Sequence, residues 1–385
     1  MEPWLISLKK SDDPGDLAEN LNVEVFHPPE REPLRAEVEA ALAAWKLPLR
    51  ANIAVRWNRK VTDSQRIFEA VWLAPRLRAR GIRHVHAHFG GVASRTAWWL
   101  RKLFGFRYSF TGHANDIFCE TKFAVSNADL VRDARFVVTE TDYARQWMEK
   151  KYPGAQGKIF RVFNGIALDG FPSPAPKSEA AKVVSVGRLV EKKGFGDLID
   201  ACRSLRDRGV EFTCDIIGAG PMEQALQARI DRDQLGAMVR LLGPKPQSEV
   251  RRRLAVSRMF VLACMPEDGG GSDNLPTVIM EAMACGVPVV STRLAGVPEM
   301  IRDGVEGLLV APQDPAALGE AMEKLLQDPA MATGMGAQGR ASAEEKFSIT
   351  NTTRALKHLL IQHGGVTPPD AARLADPQMP SAEFA

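Results

Sequence analysis

The chain has 385 residues, more than one ordinary core holds, so two domains of about 150–200 residues each are expected. Its composition, 45% hydrophobic and 25% charged with a net charge of +3, is that of a soluble globular protein, and no apolar run approaches the roughly 20 residues that a membrane span needs. Five scattered cysteines (Cys119, Cys202, Cys214, Cys264, Cys285), never in C-x-x-C spacing, exclude a disulfide framework or zinc site and point to a reducing cytoplasm.

The opening "MEPWLISLKKSDDPG" carries an acid at position 2 and too short an apolar core for a signal peptide, so a cytoplasmic protein is expected. Strand-like runs follow: "VEVF" (23–26), "HVHAHF" (84–89), "YSFTGH" (108–113), "RFVVTET" (135–141) and "IFRVFNG" (159–165). Within residues 46–107 the only acids are Asp63 and Glu69 amid many arginines and lysines, and every tryptophan lies at or before Trp147. Solvated helix faces account for such a stretch; the sharper reading is a surface for anionic lipid headgroups or a phosphate-bearing acceptor. No recognition motif accompanies the charge, so nucleic acid is not expected as a partner.

"PSPAPKSEAA" (172–181) reads as a linker. Beyond it come "VVSVG" (183–187), "FTCDIIG" (212–218), "VRLLG" (239–243), "MFVLAC" (259–264), "VPVVST" (287–292) and "GLLV" (307–310). Short apolar strands separated by helices predict an α/β chain of two doubly wound, Rossmann-like domains facing a cleft. The expected division is a first Rossmann-like domain over 1–171, the linker 172–181, a second Rossmann-like domain over 182–345, a helix over 346–363 and a disordered tail over 364–385.

Ligands of such sheets bind beyond the carboxyl ends of the strands. There stand Gly187 and Arg188 with Lys193, then Gly218, and then the loop "EDGGGSDNLP" (267–276). That loop opens a helix expected over 276–285, with Pro276 at its first position and Gly286 just past its end. Gly269 to Gly271 let a ligand approach the backbone, and a helix N-terminus binds anions. Arg188 and Lys193 can close on the same anion, and together these groups could hold a diphosphate. Glu281 lies in a helix with no polar face, where an ionised side chain is costly without partners. Those partners are either an internal Arg or Lys or the neutral hydroxyls of a ligand such as a ribose. Asp273, at the mouth, is either a helix cap or a ligand for sugar hydroxyls. In the first half His113 ends a strand, followed by Asn115 and Asp116. His84, His86 and His88 share a strand, but no carboxylate or cysteine stands at ligand spacing, so no metal site is expected.

"SVGRLVEKKG" (185–194), "IIGAGP" (216–221) and "DNLPTVIMEAMACGVPVVST…AGVPEMI…GLLV" resemble the nucleotide-binding half of glycosyltransferase family 4, retaining enzymes of GT-B fold and of the exopolysaccharide or colanic-acid type. "HVHAHFG", "SFTGHANDIF" and "FNGI" (163–166) resemble that family's acceptor half, and the likeness runs over roughly residues 80–345. The resemblance implies that Arg188 and Lys193 contact the diphosphate of the sugar donor, with Gly187 and Gly218 lining its site. Glu281 would bind the ribose. Asp273 would contact the transferred sugar, helped by backbone N–H groups of Asn274 and Leu275. His113 would face that sugar near the reacting carbon, with Asn115 and Asp116 on the acceptor side. The nucleotide sugar is then a co-substrate, and no cofactor or metal is implied. Two departures stand out. The first acid of the family's Glu–seven residues–Glu pattern is Asp273 here, and "PWLISLKK" (3–10) resembles the family's second strand, so its first strand and loop are expected to be missing.

The expected activity is retaining transfer of a hexose from a nucleotide-diphosphate sugar to a saccharide or lipid-linked acceptor, in surface polysaccharide or glycolipid synthesis, by a protein peripheral to the inner membrane face. A non-catalytic nucleotide-sugar-binding relative and a sugar-nucleotide epimerase of the same architecture are the alternatives. A dehydrogenase is disfavoured, since "GAGP" lacks the full G-x-G-x-x-G pattern after a first strand.

Overall fold

A computed structural model describes residues 5–8, 25–44, 46–57, 64–119, 123–172, 181–266 and 273–366. The chain divides into two compact units, one of Met1–Thr111, Thr121–Val137 and Lys357–Ala385, the other of Gly112–Glu120 and Val138–Leu356. The linker residues 173–180, the glycine loop 267–272 and the tail beyond 366 lie outside the described residues. Among the described residues no helix is long and apolar enough to cross a membrane.

In the first unit β1 (Leu5–Ile6) pairs in parallel with β2 (Val25–Phe26). Helices α1 (Arg31–Ala43), α2 (Leu49–Trp57) and α3 (Ser64–Ala79) follow. On α1, Leu34, Val38 and Leu42 recur every four residues, and this stripe is the face buried against Phe68, Val71 and Leu77 of α3. Next come β3 (His84–His88), α4 (Val92–Phe104) and β4 (Arg107–Gly112), whose strands pair in parallel from His84↔Arg107 to His88↔Thr111. The chain continues through α5 (Ala114–Phe118), α6 (Asn127–Asp133), β5 (Val137–Thr139), α7 (Asp142–Lys151) and β6 (Ile159–Arg161), the strands lying in the order β3-β4-β5-β6; α5, α7 and β6 count with the second unit, and α6 with the first. The last described residues close on the same unit, where Arg107 donates to the Gly365 carbonyl at 2.8 Å and Arg135 to that of His363 at 3.3 Å.

The second unit holds a six-stranded parallel sheet. Its strands are β7 (Lys182–Val186), β8 (Thr213–Ile217), β9 (Val239–Leu241), β10 (Met259–Leu262), β11 (Val289–Thr292) and β12 (Gly307–Val310). They lie in the order β12-β11-β10-β7-β8-β9, the doubly wound arrangement whose winding reverses between β7 and β10. The connecting helices are α8 (Phe195–Asp207), α9 (Glu223–Arg232), α10 (Gln247–Ala255), α11 (Thr277–Ala284), α12 (Val297–Met300) and α13 (Pro315–Gln327), followed by α14 (Pro329–Lys346) and α15 (Ile349–Gln362).

Successive strand residues supply opposite faces. Val183, Ile216 and Val261 join the core under Leu198, Cys202 and Leu205 of α8. Their neighbours Val184, Ile217 and Leu262 join the core under Ile279, Met280 and Met283 of α11. Both faces are therefore covered, which is why these strands read as unbroken apolar runs. The expected buried helix is α11, with one shift of register: Pro276 is its N-cap, in extended backbone (ψ 107°), and the helix begins at Thr277. The apolar runs also outlast the ladders. "RFVVTET" spans 135–141, but β5 covers only Val137–Thr139, because Glu140 and Thr141 turn away to make side-chain contacts at its end.

The sheet's carboxyl edge depends on one backbone approach. Gly218, just past β8, has φ +146°, and a Cβ there would lie 1.9 Å from the carbonyl oxygen of Gly187, just past β7. Gly218→Ala is expected to cost about 2–4 kcal/mol of stability, read as a lower urea midpoint at unchanged slope; a midpoint equal to that of the parent would show the approach to be slack.

Candidate functional site

The winding reversal puts the loops after β7 and β10 side by side. Gly187 donates its N–H to Ile217 O at 3.0 Å, and Leu189 donates to Ala219 O at 2.9 Å, so the first loop is tied to the end of β8. A 3-10 turn over Glu191–Lys193 follows. It ends at Gly194 (φ +65°), where a Cβ would lie 1.7 Å from the Ala263 carbonyl oxygen of the second loop. Met265 N–H donates to Lys192 O at 3.0 Å, so the two loops are joined backbone to backbone.

Across that seam Lys193 Nζ lies 2.5 Å from Asp273 Oδ2, with Lys192 Nζ 3.9 Å from Oδ1. The cation assigned to a diphosphate and the acid assigned to a sugar are thus one ion pair. Cys264 Sγ stands 3.9 Å from the same carboxylate. Burial, reinforced by the charge of Asp273, pushes its thiol up to about 12, so it keeps its proton at neutral pH and is no nucleophile. Arg188 is exposed and makes no ion pair with a described residue.

Asn274 is 1% exposed. Its Oδ1 accepts from Thr141 Oγ1 at 2.6 Å, while its Nδ2 has no hydrogen-bond partner among the described residues. Leu275 is buried in the core beneath α11. Thr141 also caps α7, accepting from Ala144 N at 3.1 Å. The carboxylate of Glu299, from α12, accepts from Asp142 N and Tyr143 N at 2.8 Å each. The start of α7 is therefore pinned to the segment carrying Asn274 and to α12.

Glu281 lies on α11, half-buried, and makes no ion pair with a described residue. Its partners are the side chain of Gln247, which hydrogen-bonds it, and the nearby charge of Arg251. That guanidinium is engaged elsewhere: it donates to Gly170 O at 2.8 Å and lies 4.2 Å over the Phe171 ring. Neither Gln247 nor Arg251 was legible as a partner, since both come from α10, and only the packing of that helix on α11 brings them near.

His113 follows β4, and its Nδ1 is 2.8 Å from Glu140 Oε1. Asp116 turns back to accept from the His113 backbone N–H at 3.3 Å, holding the start of α5. Asn115 lies in the first turn of α5, and its side chain is outside the described residues. His84 and His86 form a separate cluster. Ser109 Oγ lies 2.8 Å from both His84 Nε2 and His86 Nδ1, and Thr111 Oγ1 lies 3.0 Å from His86 Nε2. Burial holds His84 down to about 4 and His86 to about 3, so both are neutral at physiological pH. Among the described residues no group of three or more His, Cys, Asp or Glu could hold a metal ion.

Residues 170–342 match the family model of glycosyl transferases group 1. The chain is 37% identical to the amylovoran biosynthesis glycosyltransferase AmsK of Erwinia amylovora, over 46% of this chain and 44% of that protein. It is 34% identical to the GDP-mannose-dependent alpha-(1-6)-phosphatidylinositol monomannoside mannosyltransferase of Mycolicibacterium smegmatis, over 59% and 62%. The matched stretch spans less than two thirds of either relative. The crystal structure of Anabaena HepE in complex with UDP and glucose superimposes with a TM-score of 0.66 at 17% identity, covering 90% of this chain and 88% of that one. The α/β fold of the GT-B glycosyltransferases, expected from the sequence, is borne out.

Burial raises the Glu281 carboxyl above its ordinary value of 4.5, against smaller lowering effects of Arg251 and Gln247. The folded state therefore favours the protonated acid. That contribution is full below the ordinary value and is lost as pH rises through the raised one. Glu281→Gln removes the titration, so its Tm relative to the parent is expected to climb as pH rises above the ordinary value of 4.5. A difference that stays flat as pH rises would contradict the burial argument.

Proposed function

We propose that this chain, whose residues 170–342 carry a glycosyl transferases group 1 domain, transfers a hexose from a nucleotide-diphosphate sugar to a saccharide or lipid-linked acceptor, with retention at the anomeric carbon. The observation that carries the reading is the convergence of Gly187, Lys193, Gly218, Asp273 and Asn274 at the winding reversal of the parallel sheet, where doubly wound folds take nucleotides.

On this reading the diphosphate takes Lys193 from Asp273 and recruits the exposed Arg188, and their charge stabilises the departing nucleoside diphosphate. The backbone N–H groups of Asn274 and Leu275, before α11, aim at the same ligand. Asp273, once released, accepts from hydroxyls of the transferred sugar. Glu281 accepts from ribose hydroxyls, whose neutral O–H groups supply the hydrogen bonds that its surroundings supply only in part. His113 faces the transferred sugar, and Asn115 lies on the acceptor side.

AmsK is by name a glycosyltransferase of amylovoran biosynthesis, the mycolicibacterial relative is by name a GDP-mannose-dependent phosphatidylinositol monomannoside mannosyltransferase, and HepE was crystallised with UDP and glucose. These names support a nucleotide-sugar donor and a surface polysaccharide or glycolipid as product. They also fit a protein working at the inner membrane face, where the basic stretch 46–107 meets anionic lipid.

The test is incubation with UDP- and GDP-sugars plus saccharide and lipid-linked acceptors, reading nucleoside diphosphate release and, by NMR, the anomeric configuration of the product. Arg188→Ala is the informative variant, because the side chain supports no described ion pair and its loss leaves the fold alone. It is expected to lower turnover at least ~100-fold with Tm unchanged. Binding of a nucleotide sugar without release would favour the non-catalytic relative, and conversion of the sugar without acceptor would favour the epimerase.

A further inference from the structure

Three side chains meet at the ends of three successive strands: His113 beyond β4, Glu140 beyond β5 and Asn164 beyond β6. Glu140 is 5% exposed. Its Oε1 lies 2.8 Å from His113 Nδ1 and accepts from Asn164 Nδ2. A buried carboxylate is costly unless hydrogen-bonded, so the position needs a reason. Helix capping does not supply one. The first N–H groups of α7 are already taken, Asp142 and Tyr143 by Glu299 and Ala144 by Thr141.

We propose that Glu140, steadied by Asn164, is a positioning residue for His113, fixing the imidazole proton on Nδ1 so that Nε2 accepts a hydrogen bond from a hydroxyl of the transferred sugar. A carboxylate facing one ring nitrogen keeps the proton there and sets the plane of the ring, as second partners do for metal-bound histidines. The next residue, Thr141, holds Asn274 at 2.6 Å. One turn of chain at the end of β5 thus sets both the histidine and the segment carrying Asp273 and Asn274. Asn164 belongs to this arrangement because its amide donates to the same oxygen as His113, leaving that oxygen little freedom to turn away.

The inference rests on the reading of His113 as a sugar-facing group, so the test has two arms. In the first, 15N NMR of the intact protein, with the His113 signals assigned by difference against His113→Ala, is expected to show the Nδ1–H form in the parent and a mixture of tautomers in Glu140→Gln. An Nε2–H form in the parent, or no change in the variant, overturns the proposal whether or not any sugar is turned over. In the second, Glu140→Gln is expected to lower kcat about 10–100-fold with the KM for the nucleotide sugar within about twofold, and Glu140→Asp to recover part of the loss. Adding Glu140→Gln to His113→Ala should lower kcat no further, since the pair acts as one unit. Losses that multiply, or a kcat loss matched by an equal fall in Tm, would mean a purely structural carboxylate. Nδ1–H held by Glu140 in the first arm, with full activity of His113→Ala in the second, would refute the sugar-facing role of His113 and leave the fixing of the ring in place.

Discussion

The ion pair between Lys193 and Asp273 spans the place where the winding of the second sheet reverses, and the local architecture depends on that reversal. Parallel strands β7 and β10 are neighbours whose following chains leave in opposite directions, so the two loops diverge unless something holds them. Here the carbonyl of Ala263 sits against the Cα of Gly194, Met265 bonds to Lys192, and two lysines bracket one aspartate. The pair is mostly shielded from solvent, where Coulomb attraction is screened less than at the surface. It brings a cation and an anion to the mouth of the sheet, poised for a ligand that carries both phosphate and hydroxyls.

The second organising point is the end of β5. Within four residues the chain beyond the strand gives Glu140 to His113 and Asn164, Thr141 to Asn274, and the N–H groups of Asp142 and Tyr143 to Glu299. These partners come from chain positions far apart. Three of them meet side chains of this segment, and Glu299 meets backbone donors that would otherwise be unpaired. Glu299 is the anion that a free helix N-terminus calls for, built into the chain.

Much of this was legible in the residues. The parallel sheet could be read because its strands are covered on both faces and so are apolar throughout, and α11 because a proline opens it and a glycine follows it. Residues that act through the backbone, such as Gly187 and Gly218, were legible from their places at strand ends. Side-chain partnerships were not. Glu140 sits in a run, "RFVVTET", that reads as a strand to its last residue, and nothing local says that its carboxylate turns toward a histidine 27 positions earlier. Lys193 and Asp273 could each be given a ligand, but not each other, because their pairing is set by the order of strands in the sheet and not by spacing along the chain. The cluster of His84, His86 and Ser109 is similar: alternate residues of one strand put two imidazoles on one face, yet only the ladder with β4 supplies the hydroxyl they share.

The aspartate at position 273 gains a physical sense from this pairing. A glutamate there would carry its carboxylate one methylene further from the backbone. The shorter acid stays by the seam, within reach of both lysines and beside Cys264, whose proton-bearing thiol can donate to it. On the proposed reading it is also a brake. A ligand must bring enough negative charge to draw Lys193 away before the carboxylate can meet hydroxyls, so diphosphate binding precedes recognition of the sugar. A neutral saccharide alone has nothing to offer the lysine and leaves the pair closed. Selectivity for a sugar attached to a diphosphate, over the free sugar, then follows from the charge of one salt bridge and needs no further contact.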